Sequence, residues 1–178
     1  AQRRQELLPV GYFHLVFTVP QELRACLRSH QTELYSLFMQ AAAQATLKLA
    51  ADPHYVGGTV GMLAVLHTWS RTLSYHPHLH CLVTGGGFDR RTHSWRAARR
   101  KYLIPVEVLS RMVRDTFKDL LGLRLHSLNI PASVWQVPWN VNCQPVRNSI
   151  ENVLNYLGRY VHRIAITNNR ILDIDNGR

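Results

Sequence analysis

Acidic residues are scarce in this chain. Its 178 residues hold 11 Asp and Glu against 21 Lys and Arg, a formal net charge of +10. That imbalance points to a polyanionic partner, nucleic acid above all, and away from an acidic-protein or sugar-binding role. So few carboxylates also argue against a two-metal nuclease, which needs several Asp or Glu to hold its ions. Cysteine is limited to Cys26, Cys81 and Cys143, with no CxxC pair. A disulfide frame or zinc ribbon is therefore excluded, and buried thiols in a reducing compartment are expected. Long apolar runs are missing as well. Residues 60–66 form the longest and Gly61 interrupts it, far short of the ~20 residues of a membrane-spanning helix. The opening Ala-Gln-Arg-Arg-Gln-Glu has no apolar segment of the kind a secretory signal needs. With 46% hydrophobic residues and no repeat or Gly/Ser linker, one globular domain is expected. The chain starts without Met and stops at Asp-Asn-Gly-Arg, so it reads as a piece of something longer.

Residues 11–19 are β-branched and aromatic on both faces, which predicts a central strand. Thr18 with Gln21 forms a capping-box pattern and Pro20 suits a first helical turn. The helix that follows carries Leu23, Leu27, Leu34, Leu37, Phe38, Ala41, Ala45 and Leu49, with a break at His30-Gln31 and an end at Asp52-Pro53. Residues 59–69 and 78–83 read as strands joined by an irregular hairpin, and residues 84–91 as a loop. Residues 105–123 are an amphipathic helix. Residues 134–142 alternate like an exposed strand, with Trp135 and Trp139 on one face as either core or platform. A helix over 149–163 and a hairpin over 164–174 complete the chain. The expected class is α+β, a central antiparallel-rich sheet with helices packed on it.

His76-Pro77-His78-Leu79-His80 carries the first chemical signal. Alternate residues of a strand share a face, so His78 and His80 point the same way. His67 on the preceding strand falls opposite one of them if the two strands pair. Three imidazoles with an open position form a metal-site pattern. His76 reads as a loop residue beside the kink at Pro77, and His14 as a satisfied core histidine. No carboxylate follows His80, which disfavours a His-x-His-x-Asp-His zinc hydrolase.

The second signal is Tyr156-Leu-Gly-Arg-Tyr160-Val-His-Arg163. Residues four apart stack on a helix, which places Tyr156 and Tyr160 on one face and Arg159 and Arg163 on the neighbouring one. A tyrosine becomes a nucleophile when a cation polarises its target, and arginines hold phosphate. A third signal is the basic run of Arg90, Arg91, Arg96, Arg99, Arg100 and Lys101 around Trp95 and Tyr102. Cations interleaved with stacking aromatics are a single-strand DNA pattern.

Taken together, these motifs resemble the HUH endonucleases, and most closely the two-tyrosine transposases of the insertion-sequence 91 family. The resemblance rests on Phe13-His-Leu-Val-Phe-Thr-Val-Pro, Leu66-His-Thr-Trp, Leu73-Ser-Tyr-His-Pro-His-Leu-His-Cys-Leu-Val, the glycine run at Gly85, and Tyr156-Leu-Gly-Arg-Tyr-Val-His-Arg-Ile-Ala-Ile-Thr-Asn. It covers residues 8–178, which it marks as a catalytic domain without the family's Cys-rich zinc-binding N-terminal segment or its C-terminal remainder. It implies an HUH-type sheet and a metal-dependent endonuclease and strand transferase. The metal would be Mg²⁺ or Mn²⁺ on His67, His78 and His80, and Tyr156 or Tyr160 would form a 5′-phosphotyrosine. It further implies single-stranded DNA as partner, a bacterial cytoplasmic location at the nucleoid, no membrane, and compatibility with a homo-oligomer. DNA contact is expected at Arg90, Arg91, Trp95, Arg99, Arg100, Lys101, Arg159 and Arg163. A replication initiator or relaxase of the same superfamily, or a DNA-binding module without turnover, are the alternative readings.

Overall fold

The computed structural model describes residues 8–146 apart from Arg71, Arg100, His126 and Ser127. Its elements run β1 (Tyr12–Thr18), a 3₁₀ turn (Gln21–Leu23), α1 (Arg24–Ser29), α2 (Gln31–Ala51), β2 (Thr59–Trp69), β3 (Tyr75–Asp89), β4 (Ser94–Ala97), α3 (Val106–Arg124), α4 (Ser133–Gln136) and β5 (Asn140–Pro145). The sheet order is β2-β3-β1-β5, with β4 added to the far end of β3, and every pairing is antiparallel. The architecture is therefore α+β, as expected, and β1 is a central strand. The helix does break at His30, where α1 ends and α2 begins.

Strand alternation splits the sheet into two unlike faces. Leu15 and Phe17 of β1 and Leu79, Cys81 and Val83 of β3 are buried in one core with Leu34, Phe38, Ala41 and Ala45 of α2 and Val113 and Phe117 of α3. The small side chains of α2 let it lie close on the strands. His14, Val16 and Thr18 of β1 and His78 and His80 of β3 fall on the opposite face and are half-buried. This two-faced sheet is what positions the site.

Four expectations are corrected. Residues 84–91 are not simply a loop, because β3 runs on through Thr84, the three glycines and Phe88 to Asp89. Those glycines mark close backbone approach. A Cβ at Gly87 would lie 2.6 Å from the Gly58 carbonyl carbon, and one at Gly85 would lie 2.7 Å from the Gly11 carbonyl oxygen. Residues 134–142 are not one strand. Ser133–Gln136 is a helical turn and the strand begins at Asn140. Trp135 and Trp139 both pack on Phe117, and Trp139 is buried, so they belong to the core. No side-chain capping bond forms at residues 18–21; Pro20 itself caps the 3₁₀ turn. His76 and Pro77 lie within β3, not in a loop.

Candidate metal centre

The β2–β3 ladder pairs His67 directly with His78 and Val65 with His80. Paired residues share a face, so His67, His78 and His80 converge on the side of the sheet away from α2 and α3. Each offers one ring nitrogen, and these three atoms lie within 4.8 Å of one another. The ring centroids are 5.4 Å (His67–His78), 4.8 Å (His67–His80) and 4.9 Å (His78–His80) apart. The triad read from the sequence is thus assembled by strand register alone.

Hydrogen bonds set the protonation of the rings. His78 Nδ1 lies 2.6 Å from the His76 carbonyl oxygen, so Nδ1 carries the proton and donates it. The neutral ring then presents Nε2 as the ligand atom. Burial, and the neighbouring His67 and His76 after it, hold His78 below its ordinary value, against the opposing pull of the His76 carbonyl. A neutral imidazole is the form that binds metal.

His14 of β1 makes the next contact outward. Its Nε2 lies 2.9 Å from His80 Nδ1. The ring planes differ by 7° with centroids 5.1 Å apart, the separation of two rings joined edge to edge in one plane. Burial pushes the His14 pKa down to about 4, so the ring is neutral at pH 7. Ligation through His80 Nε2 requires a proton on His80 Nδ1, and His14 Nε2 is placed to accept it. The sequence reading placed His14 in the core. His14 shares a face with Val16, which pairs with His80, so it lies on the histidine face.

The donor set fits a divalent ion: three nitrogens on two rigid strands, with outer bonds at His76 and His14. The expected basic run lies elsewhere. Asp89 at the end of β3 lies nine positions beyond His80, past an irregularity in the β2–β3 register. Arg90 and Arg91 are exposed just beyond it, and Arg99 and Lys101 are exposed after β4, which returns along β3 until the Ala98 N–H meets the Gly85 carbonyl. Trp95 covers Gly86, where a Cβ would come within 2.7 Å of its ring, and remains 39% exposed. Arg96 pairs with Asp89 at 3.0 Å. Tyr156, Tyr160, Arg159, Arg163 and Arg100 lie outside the described residues.

The family model described as "Putative transposase" matches residues 61–178, from the third residue of β2 through both tyrosines. The chain belongs to that family. Two curated relatives agree. The "Putative transposase y4qJ" of Sinorhizobium fredii (strain NBRC 101917 / NGR234) is 39% identical over 193 residues, which span 98% of this chain and 48% of that protein. The "Transposase for insertion sequence element IS801" of Pseudomonas savastanoi pv. phaseolicola is 30% identical over 187 residues, 92% of this chain and 42% of that protein. The chain thus spans about half the length of the curated relatives it matches. A solved structure of a REP-associated tyrosine transposase bound to a REP hairpin overlaps 87% of this chain and 70% of that one, at 12% identity and a TM-score of 0.38. Among the described residues, no helix of this transposase-family chain is long and apolar enough to cross a membrane.

Proposed function

We propose that this chain is the catalytic core of a transposase that nicks and joins single-stranded DNA through a tyrosine nucleophile. The observation that carries the reading is the His67–His78–His80 cluster on one sheet face, in a chain whose family match extends over Tyr156 and Tyr160. His67, His78 and His80 would hold the ion, with His14 and His76 orienting two of the rings. Mn²⁺ suits this all-nitrogen set better than Mg²⁺, which prefers oxygen ligands. A divalent ion, when bound, supplies polarisation of the scissile phosphate and stabilises charge on the leaving 3′ oxygen.

The remaining chemistry belongs to the chain's own residues. A phenol of ordinary pKa ~10 is a weak nucleophile and needs a nearby positive charge to react at neutral pH. Tyr156 or Tyr160 attacks phosphorus as the bond to the 3′ oxygen breaks. The phenolic proton is released and the 3′ oxygen departs as a hydroxyl, leaving a 5′-phosphotyrosine. Attack by another strand's 3′-OH reverses the step and joins the strands without an external energy source. Arg159 and Arg163 steady the phosphates, and the exposed Arg90, Arg91, Trp95, Arg99 and Lys101, together with Arg100 of the same run, hold another stretch of the strand. Such an enzyme works at the nucleoid in the bacterial cytoplasm. The histidine face is the one that α2 and α3 leave uncovered, which gives a tyrosine-bearing segment a side on which to approach.

The test is a denaturing gel after incubation with single-stranded oligonucleotides and Mn²⁺. A covalent protein–DNA band that disappears with EDTA is expected. DNA binding without any adduct would overturn the reading and favour a module without turnover.

A further inference from the structure

Strand β5 carries three side-chain amides at alternate positions. Asn140, Asn142 and Gln144 are exposed, while Val141 and Cys143 between them pack against the core. The β1–β5 ladder pairs Thr18 with Asn140, Val16 with Asn142 and His14 with Gln144. The β1–β3 ladder pairs the same Thr18 with His78 and the same Val16 with His80. Paired residues share a face, so the three amides lie on the histidine face, two strands over from the candidate metal centre. With neighbouring strands 4.7–4.9 Å apart, the Asn140 and Asn142 backbones lie about 10 Å from those of His78 and His80.

The row has a firm support. Every residue from Asn140 to Pro145 pairs with β1, and the Val146 N–H donates to the Tyr12 carbonyl at 2.8 Å. The Ser110 hydroxyl of α3 donates to the Trp139 carbonyl just before the strand begins. Among the described residues, none of the three amides is engaged in a hydrogen bond. Successive amides stand about 7 Å apart at 3.4 Å per residue, far enough to meet separate nucleotides.

We propose that Asn140, Asn142 and Gln144 read bases of the single-stranded DNA beside the phosphate held at the metal centre, with a preference for adenine. This rests on the DNA reading above and adds a source of sequence selectivity to it. A strand with one phosphate at the ion has its next nucleotides within reach of β5 on the same face. An amide is uncharged and offers a donor and an acceptor side by side. That pair matches a base edge and not a phosphate, and it meets the N6 and N7 of adenine with two hydrogen bonds. Bases of a single strand are free to present those edges.

The experiment selects bound sequences from a randomised single-stranded pool. Fluorescence anisotropy then compares the enriched oligonucleotide with one whose enriched adenines are replaced by thymine, at several salt concentrations. Asn140→Ala, Asn142→Ala and Gln144→Ala each trim an exposed side chain and leave the core alone. Asn142→Ala should weaken binding of the enriched oligonucleotide about tenfold, bind the replaced one as the parent does, and keep the parent's slope of log K against log salt. The other two variants should each relax the preference at a different position. A loss shared by both oligonucleotides with a shallower salt slope would mark a phosphate contact and overturn the proposal. A pool with no base enriched, or parent-like discrimination in all three variants, would also overturn it. Each of these results would leave the tyrosine chemistry standing, whereas failure of the unaltered protein to bind single-stranded DNA would overturn both.

Discussion

His14 and His80 share an in-plane hydrogen bond of 2.9 Å across the β1–β3 ladder. The bond ties one ring of the candidate metal centre to a strand whose opposite face is buried in the core. Outer-shell partners of ligating histidines typically govern metal affinity by 10–100-fold. His14→Ala should therefore weaken Mn²⁺ binding by about that factor. His14→Gln, whose amide oxygen can accept the His80 proton, should retain most of the affinity. Isothermal titration of the three proteins with Mn²⁺ checks this.

Metal binding should also raise thermal stability. An ion at 100 times its dissociation constant stabilises the folded state by about 2.7 kcal/mol. Differential scanning calorimetry should show a higher Tm with Mn²⁺ and its reversal by EDTA. His67→Ala or His78→Ala should remove the Mn²⁺ effect.

The metal-free protein should lose stability in mild acid. Burial holds His14 at about 4, below its ordinary 6.5, and lowers His78 in the same direction. Such a histidine binds its proton more readily in the unfolded chain, so stability is full above pH 6.5 and falls as pH drops towards 4. Urea midpoints at pH 7.5 and pH 5 should differ accordingly, and His14→Gln should shrink the difference.

Two glycines should respond in opposite ways. A Cβ at Gly87 meets the Gly58 backbone at 2.6 Å, whereas one at Gly122 on α3 meets nothing within 4 Å. Gly87→Ala should cost about 1–3 kcal/mol by overpacking. Gly122→Ala should stabilise by about 0.5–1 kcal/mol, the helix preference for Ala. Chemical denaturation of both variants measures the contrast.

The residues that sequence made legible are those whose periodicity has one reading. The His67–His78–His80 cluster follows from hairpin pairing and two-residue alternation, and the strand at 59–69 emerged with its boundaries intact. The glycines at 85–87 read as part of a loop because flexible and close-packed glycines look alike until the opposing backbone is present. Trp135 and Trp139 stand four apart, a spacing common to one strand face and one helix face, so only their packing on Phe117 decided between core and platform. His14 was misjudged because its partner lies 66 residues away, and no local pattern carries that register.

The central claim is that a tyrosine of this chain becomes covalently joined to DNA beside the histidine centre. Mass spectrometry of protease- and nuclease-digested adduct tests it most directly. A nucleotide 5′-phosphate on Tyr156 or Tyr160 is predicted, with no adduct in His78→Ala or in the Tyr156→Phe, Tyr160→Phe double variant. A nucleotide mapped to any other residue, or an adduct persisting in the double variant, would contradict the account.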